Sequence, residues 1–174
     1  MSASKLLRQS MQNLSLVEAK AKPPPPVPPL VPLERPSNPH RLAISHPPRH
    51  RHTQYYGFSI TKQWLADLGK NIQYPSDHLD PPDDSRYFLR GYQYIQWAVR
   101  IHLLGVELCF QAKKDGAPPE HIMADGNVFV LSVLADEEVD SPLCPVQEQV
   151  DYLTELLGRK PRWWVGIWPR NDWE

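Results

Sequence analysis

Along residues 55–174 the spacing of apolar side chains switches repeatedly between a period of two and a period near 3.6, and each switch marks an element. Tyr56, Phe58 and Ile60 alternate with polar or small residues over 55–60, which predicts a strand with one buried face. Thr61 then stands where a helix N-cap belongs, and Trp64, Leu65 and Leu68 give residues 62–68 one apolar side. Gly69 is expected at the C′ position that ends this helix. Beyond an aspartate-bearing loop, Asp84 or Ser85 is the expected cap of the next.

Residues 86–104 satisfy both periods. Tyr94, Trp97, Ala98, Ile101 and Leu104 fit a helix face, whereas Ile95, Trp97, Val99, Ile101 and Leu103 fit strand alternation. Length favours the helix: the apolar pattern would extend about 60 Å as a strand but only about 27 Å as a helix. Gly105 reads as its stop.

From there the period is two. Val106, Leu108, Phe110 and Ala112 point one way and Glu107, Cys109, Gln111 and Lys113 the other, predicting a strand with a solvated face. Residues 127–134 are apolar on both faces, as in a central strand. Pro145 opens a last helix with Val146, Val150, Leu153, Leu156 and Leu157 as its stripe and Gly158 as its end. The chain closes on a tryptophan-rich strand between Pro161 and Pro169, where Trp163, Val165 and Ile167 share one face and Trp164, Gly166 and Trp168 the other. The order strand, helix in two pieces, strand, strand, helix, strand predicts an α+β body. It is that of a ferredoxin-like (split β-α-β) fold, a mainly antiparallel four-stranded sheet with the first and third strands central.

Composition sets the first 54 residues apart as a disordered, basic, proline-rich tail. Residues 1–52 hold eight Lys and Arg against two acids, a net +6, while residues 53–174 carry −7, and 11 of the 20 prolines fall in the first third. Leu7, Met11, Leu14 and Val17 place a short amphipathic helix at 4–19. Its serines and lack of acids before Glu18 match the composition of a mitochondrial presequence, though a tail that orders only against a partner explains it more simply. Residues 22–32, with Pro25, Pro26, Pro28 and Pro29, cannot enter a helix or a ladder and favour polyproline II. Such a run serves as a stiff spacer or docks in aromatic grooves of SH3, WW or profilin-like partners. His46, His50 and His52 lie among arginines with no Cys or carboxylate beside them, so no metal site is expected.

The function classes narrow mainly by exclusion. Two cysteines are too few for a disulfide framework, and no apolar run approaches the length of a membrane span, so an intracellular setting, cytoplasm or nucleus, is expected. There is no glycine-rich phosphate loop, nucleophile-elbow serine, Cys-x-x-Cys or His-Glu-x-x-His, and no cofactor is implied. RNA-recognition modules share the strand order, yet the third strand offers only Phe129 for stacking and the body is acidic. Specific nucleic-acid binding is therefore not expected. Four aspartates at 77–84 lack the glycine and the distal glutamate of a calcium loop. Two readings remain. The first is a non-catalytic protein–protein interaction protein that uses Pro25, Pro26, Pro28 and Pro29, or Trp164 and Trp168, or both sets. The second is a small enzyme using Cys144, placed ahead of Pro145 at a predicted helix N-terminus where amide dipoles favour a thiolate, with His102 or His121 as candidate base.

Overall fold

The computed structural model describes residues 29–35, 39–79, 82–111 and 117–170. The expected helix at 4–19, together with Pro25, Pro26, Pro28, Asp80, Ala112 and Lys113, lies outside the described residues. Seven main elements follow in order: β1 (His52–Ile60), α1 (Lys62–Lys70), α2 (Asp84–Val99), β2 (Gly105–Phe110), β3 (Asn127–Ala135), α3 (Gln147–Leu157) and β4 (Arg162–Pro169). The architecture is α+β, with four antiparallel strands and three α-helices among the described residues. No helix of these residues is long and apolar enough to cross a membrane.

The strands neighbour one another in the order β4-β1-β3-β2, and β2 then meets β4 through the single pair Cys109–Gly166. The sheet therefore curls until its edges touch, and each face encloses a core of its own. Phe58, Ile60, Leu131 and Val133 face the helices, where Leu65, Leu68, Ile95, Ala98, Val99, Val150 and Leu153 complete the main core. Cys109, Val128, Val130 and Trp164 fill the inner face, covered by Ala117 with Tyr55 and Ile122. The burial of β3 on both sides, expected from its sequence, follows from its place between β1 and β2.

Several local expectations are corrected. The face of β2 predicted to be solvated carries the fully buried Cys109, while Phe110 of the other face is exposed, because the curl makes an interior where an open sheet would face water. Gly69 does not end α1, which runs on to Lys70. A Cβ on Gly69 would run into the carbonyl oxygen of Tyr87, and one on Gly91 into that of Leu65, so the two glycines mark the closest approach of α1 and α2. The cap of α2 is Asp83, whose Oδ1 accepts from Arg86 N at 2.8 Å. The helix stops at Val99 rather than reaching Leu104, because Arg100 takes the left-handed conformation, φ 57°. Gln149 Nε2 then donates to the carbonyls of Val99 and Arg100 at 3.0 and 2.8 Å, closing groups that a helix end leaves open. Likewise α3 begins at Gln147, beyond Pro145, with the Gln149 side chain accepting from Val146 N.

Residues 54 and 55 both lie within β1, and several described residues before them contact the body. Leu30 and Leu42 belong to the helix-side core, Gln147 N donates to His40 O at 2.8 Å, and Gln54 Nε2 donates to Pro48 O at 2.7 Å. Asp77, one of the four loop aspartates, is engaged by Arg90 through two hydrogen bonds of 2.6 and 2.7 Å, which hold its carboxyl down at about 2.

The glycine crossing gives a direct expectation. Gly69→Ala or Gly91→Ala gains about 1 kcal/mol of helix propensity yet forces two backbones apart. Each substitution should lower stability by about 2 kcal/mol in urea unfolding, and a neutral or stabilising result would show that the helices do not meet there.

Candidate functional site

Alternation puts the two candidate tryptophans of β4 on one side of the strand, yet they meet opposite fates on either side of the Cys109–Gly166 pair. Trp164 is 4% exposed, its Nε1 donates to Gly57 O at 3.0 Å, and the Arg162 guanidinium lies 3.7 Å above its ring. It is thus the largest side chain of the inner core rather than a surface anchor. Four residues further on, beyond the Cys109–Gly166 pair, Trp168 is 71% exposed. Phe110, one residue past that pair on β2, is 45% exposed and meets His52 edge-on at 5.5 Å. His52 itself is buried, with Nδ1 2.8 Å from Gly166 O, which makes it part of the seam. Among the described residues no cluster of three His, Cys, Asp or Glu could hold a metal ion.

The inner face also carries titratable groups. Burial and the neighbouring Glu107 push the Cys109 thiol up to about 12 and the Tyr55 hydroxyl to about 12. Glu107 is itself raised by burial and by Glu138, against the hydrogen bond from Tyr55. At neutral pH Cys109 is a protonated, enclosed thiol, a packing group rather than a nucleophile.

Cys144 does share a groove with a histidine. A cavity of about 540 Å³ is lined by Cys144, His102, Arg35, Arg100, Leu143 and Gln149, among others. The geometry nevertheless works against a thiolate. With α3 starting at Gln147, Cys144 sits outside the helix N-terminus, and burial raises its thiol, with Asp140 and Glu138 opposing the nearby Arg41. Candidate base His121 lies elsewhere, in a clasp between α3 and β1. Its Nδ1 is 3.0 Å from Ser59 Oγ and 2.9 Å from Arg159 Nη1, and burial and the Arg159 charge keep the ring below its ordinary pKa. Arg159 also donates to Leu157 O at 3.1 Å and to Ser59 O at 3.3 Å, so its guanidinium finishes the helix end that Gly158 turns away from. Sequence reasoning missed this clasp; the Gly158-Arg159-Lys160 run directly after the apolar stripe was its signal.

Of the proline positions only Pro29 is described, and it is exposed at the start of a segment laid across α2 and α3. The structure therefore brings together Cys144 with His102, and β2 with β4 at the seam, but does not join Trp164 to Trp168 in one surface. Comparison with protein-family models, curated proteins and solved structures finds no match for this chain.

Two outcomes check these placements. Trp164→Ala should cost about 3–5 kcal/mol in chemical unfolding, whereas Trp168→Ala should stay within about 0.5 kcal/mol of the parent. Equal costs would refute the division of the two side chains. In the native protein Cys144 should react with iodoacetamide at pH 7 no faster than a free thiol, and Cys109 only on unfolding. A strongly accelerated Cys144 would restore the enzyme reading.

Proposed function

We propose that this protein is a non-catalytic interaction module that docks a partner protein at the outer edge of β4. One observation carries this reading: Trp168 stands 71% exposed on a strand whose outer edge is engaged by β2 at one residue pair only. A large aromatic side chain gains more than any aliphatic one from burial, and tryptophan is enriched among the residues that dominate binding energies. Beside it, an edge with little ladder pairing leaves backbone groups for an extended segment of the partner. The fitting partner is an extended peptide segment that lays an apolar side chain against the indole.

The body is read as ferredoxin-like. The neighbour order β4-β1-β3-β2 and the helices between β1 and β2 and between β3 and β4 support this, while the closing pair Cys109–Gly166 is a departure from an open sheet. The polyproline run with Pro25, Pro26, Pro28 and Pro29 is a second docking element, a reading that rests on its composition. Both cysteines are free, in keeping with an intracellular setting. The enzyme reading has the shared groove of Cys144 and His102 in its favour, and the raised thiol against it.

The test is a photo-crosslinking amino acid placed at position 168 of the full chain in cells, with position 79 as control, since Leu79 is at least as exposed. Discrete heteromeric adducts are expected from 168 and not from 79. The same adducts at both positions, or none at 168, would count against the edge as a docking surface.

A further inference from the structure

Residues 29–33 cross the α2–α3 face as a strap outside any helix or strand, held largely by side-chain hydroxyls. Leu30 is inserted into the helix-side core at 7% exposure. The Tyr94 hydroxyl serves both polar groups of that residue, accepting from Leu30 N at 3.1 Å and donating to Leu30 O at 3.3 Å. Tyr152 donates to Val31 O at 2.7 Å, and Leu33 N donates to Ala98 O at 2.9 Å, a carbonyl in the last turn of α2 with no partner inside the helix. Pro29 and Pro32 flank the inserted leucine and bring no N–H that would need a partner. Tyr94 is stacked on Trp97, centroids 5.7 Å apart and planes at 13°, and Trp97 remains 56% exposed. The aromatic surface is therefore larger than the part the strap covers.

Hydroxyl donors aimed at carbonyls, an apolar residue inserted between prolines and an aromatic rim are the features by which grooves hold polyproline segments. We propose that the α2–α3 face bearing Tyr94, Trp97 and Tyr152 is a docking site for proline-rich segments with a Pro-Leu-x-Pro core. Residues 29–33 occupy it in cis, and a segment of the same chemistry on a partner protein displaces them. No ladder joins the strap to the sheet, and its hold comes from one buried side chain, the hydroxyl contacts and the single backbone bond from Leu33 N to Ala98 O, so it can leave without opening a strand pair. A partner protein is a better source than a second copy of this chain. Every copy carries its own tethered strap at an effective concentration on the order of millimolar, which a partner without such a face does not.

The test uses the full chain and a fluorescent synthetic peptide of residues 27–35, read by anisotropy. Leu30→Asp, which would bury a carboxylate in the core, should free the face. This variant is expected to bind the peptide at least about tenfold more tightly than the parent, whose own strap competes. Adding Tyr94→Phe should then weaken binding by about three- to tenfold, the effect of one hydrogen-bonding hydroxyl. Equal binding by parent and Leu30→Asp, with the fold intact by circular dichroism, would overturn the proposal. Hydrogen exchange on the unmodified protein gives a readout free of any variant. The Leu30 and Leu33 amides should exchange faster than the β3 ladder and faster still with excess peptide. Their exchange only together with β3 would make the strap an integral part of the fold and overturn it. A dimer of the parent that the peptide dissociates would place a second copy in the groove and overturn the assignment to a partner.

Discussion

The pair Cys109–Gly166 is the constraint on which the rest of the body depends. A four-stranded sheet flat enough to keep its edges apart would have one covered face and one solvated face. Bringing β2 to β4 demands strong curl, and the residues at the tight places are those that permit it. A Cβ on Gly166 would press on the Tyr55 ring at 2.8 Å, and one on Gly57 would collide with the Leu131 carbonyl. Gly57 is also where the β1–β3 register shifts, and such an irregularity increases local twist and bends a strand. Closure then turns the helix-free face into an interior, and that interior is what Trp164 fills.

This single geometry explains why neighbouring residues of the same chemical type end so differently. Trp164 lies before the closing pair and Trp168 after it, so the same side of the same strand is core at one and solvent at the other. Cys109 and Tyr55 are enclosed with Glu107 and retain their protons, while Phe110, the next residue along β2, emerges. Exposure is thus set by the side of the closing pair on which a residue falls more than by residue type.

Much of the element order was legible in the sequence, because Phe58, Ile60, Val150 and Leu153 keep their periods and sit in the core those periods imply. Gly158 ends α3 in the left-handed conformation, as a glycine after an apolar stripe should. What was not legible came from long-range contacts. Gly69 looks like a helix stop because a glycine near the end of an amphipathic run has that use, but here it serves a helix crossing that no local pattern encodes. Arg100 adopts a backbone conformation in which glycine or asparagine would be expected, with Gln149, far along the chain, securing the carbonyls around it. The solvated face assigned to β2 was a sound inference for an open sheet, and only the curl reverses it. At the candidate site, alternation grouped Trp164 with Trp168, but parity along a strand says nothing of where the sheet closes.

The N-terminal segment illustrates the same limit from the other side. Prolines at 29 and 32 exclude a helix or a ladder, and composition alone suggests a spacer detached from the body. Yet a segment without ladder bonding can still be fixed if side chains meet its carbonyls and an apolar residue finds a core. Tyr94, Tyr152 and the cavity filled by Leu30 supply both conditions. Because these contacts come from hydroxyls on α2 and α3 rather than from strand pairing, holding the strap and folding the sheet draw on different groups. Release of the strap would withdraw Leu30 from the helix-side core but would open no strand pair, which is the separation that the proposed docking on this face requires.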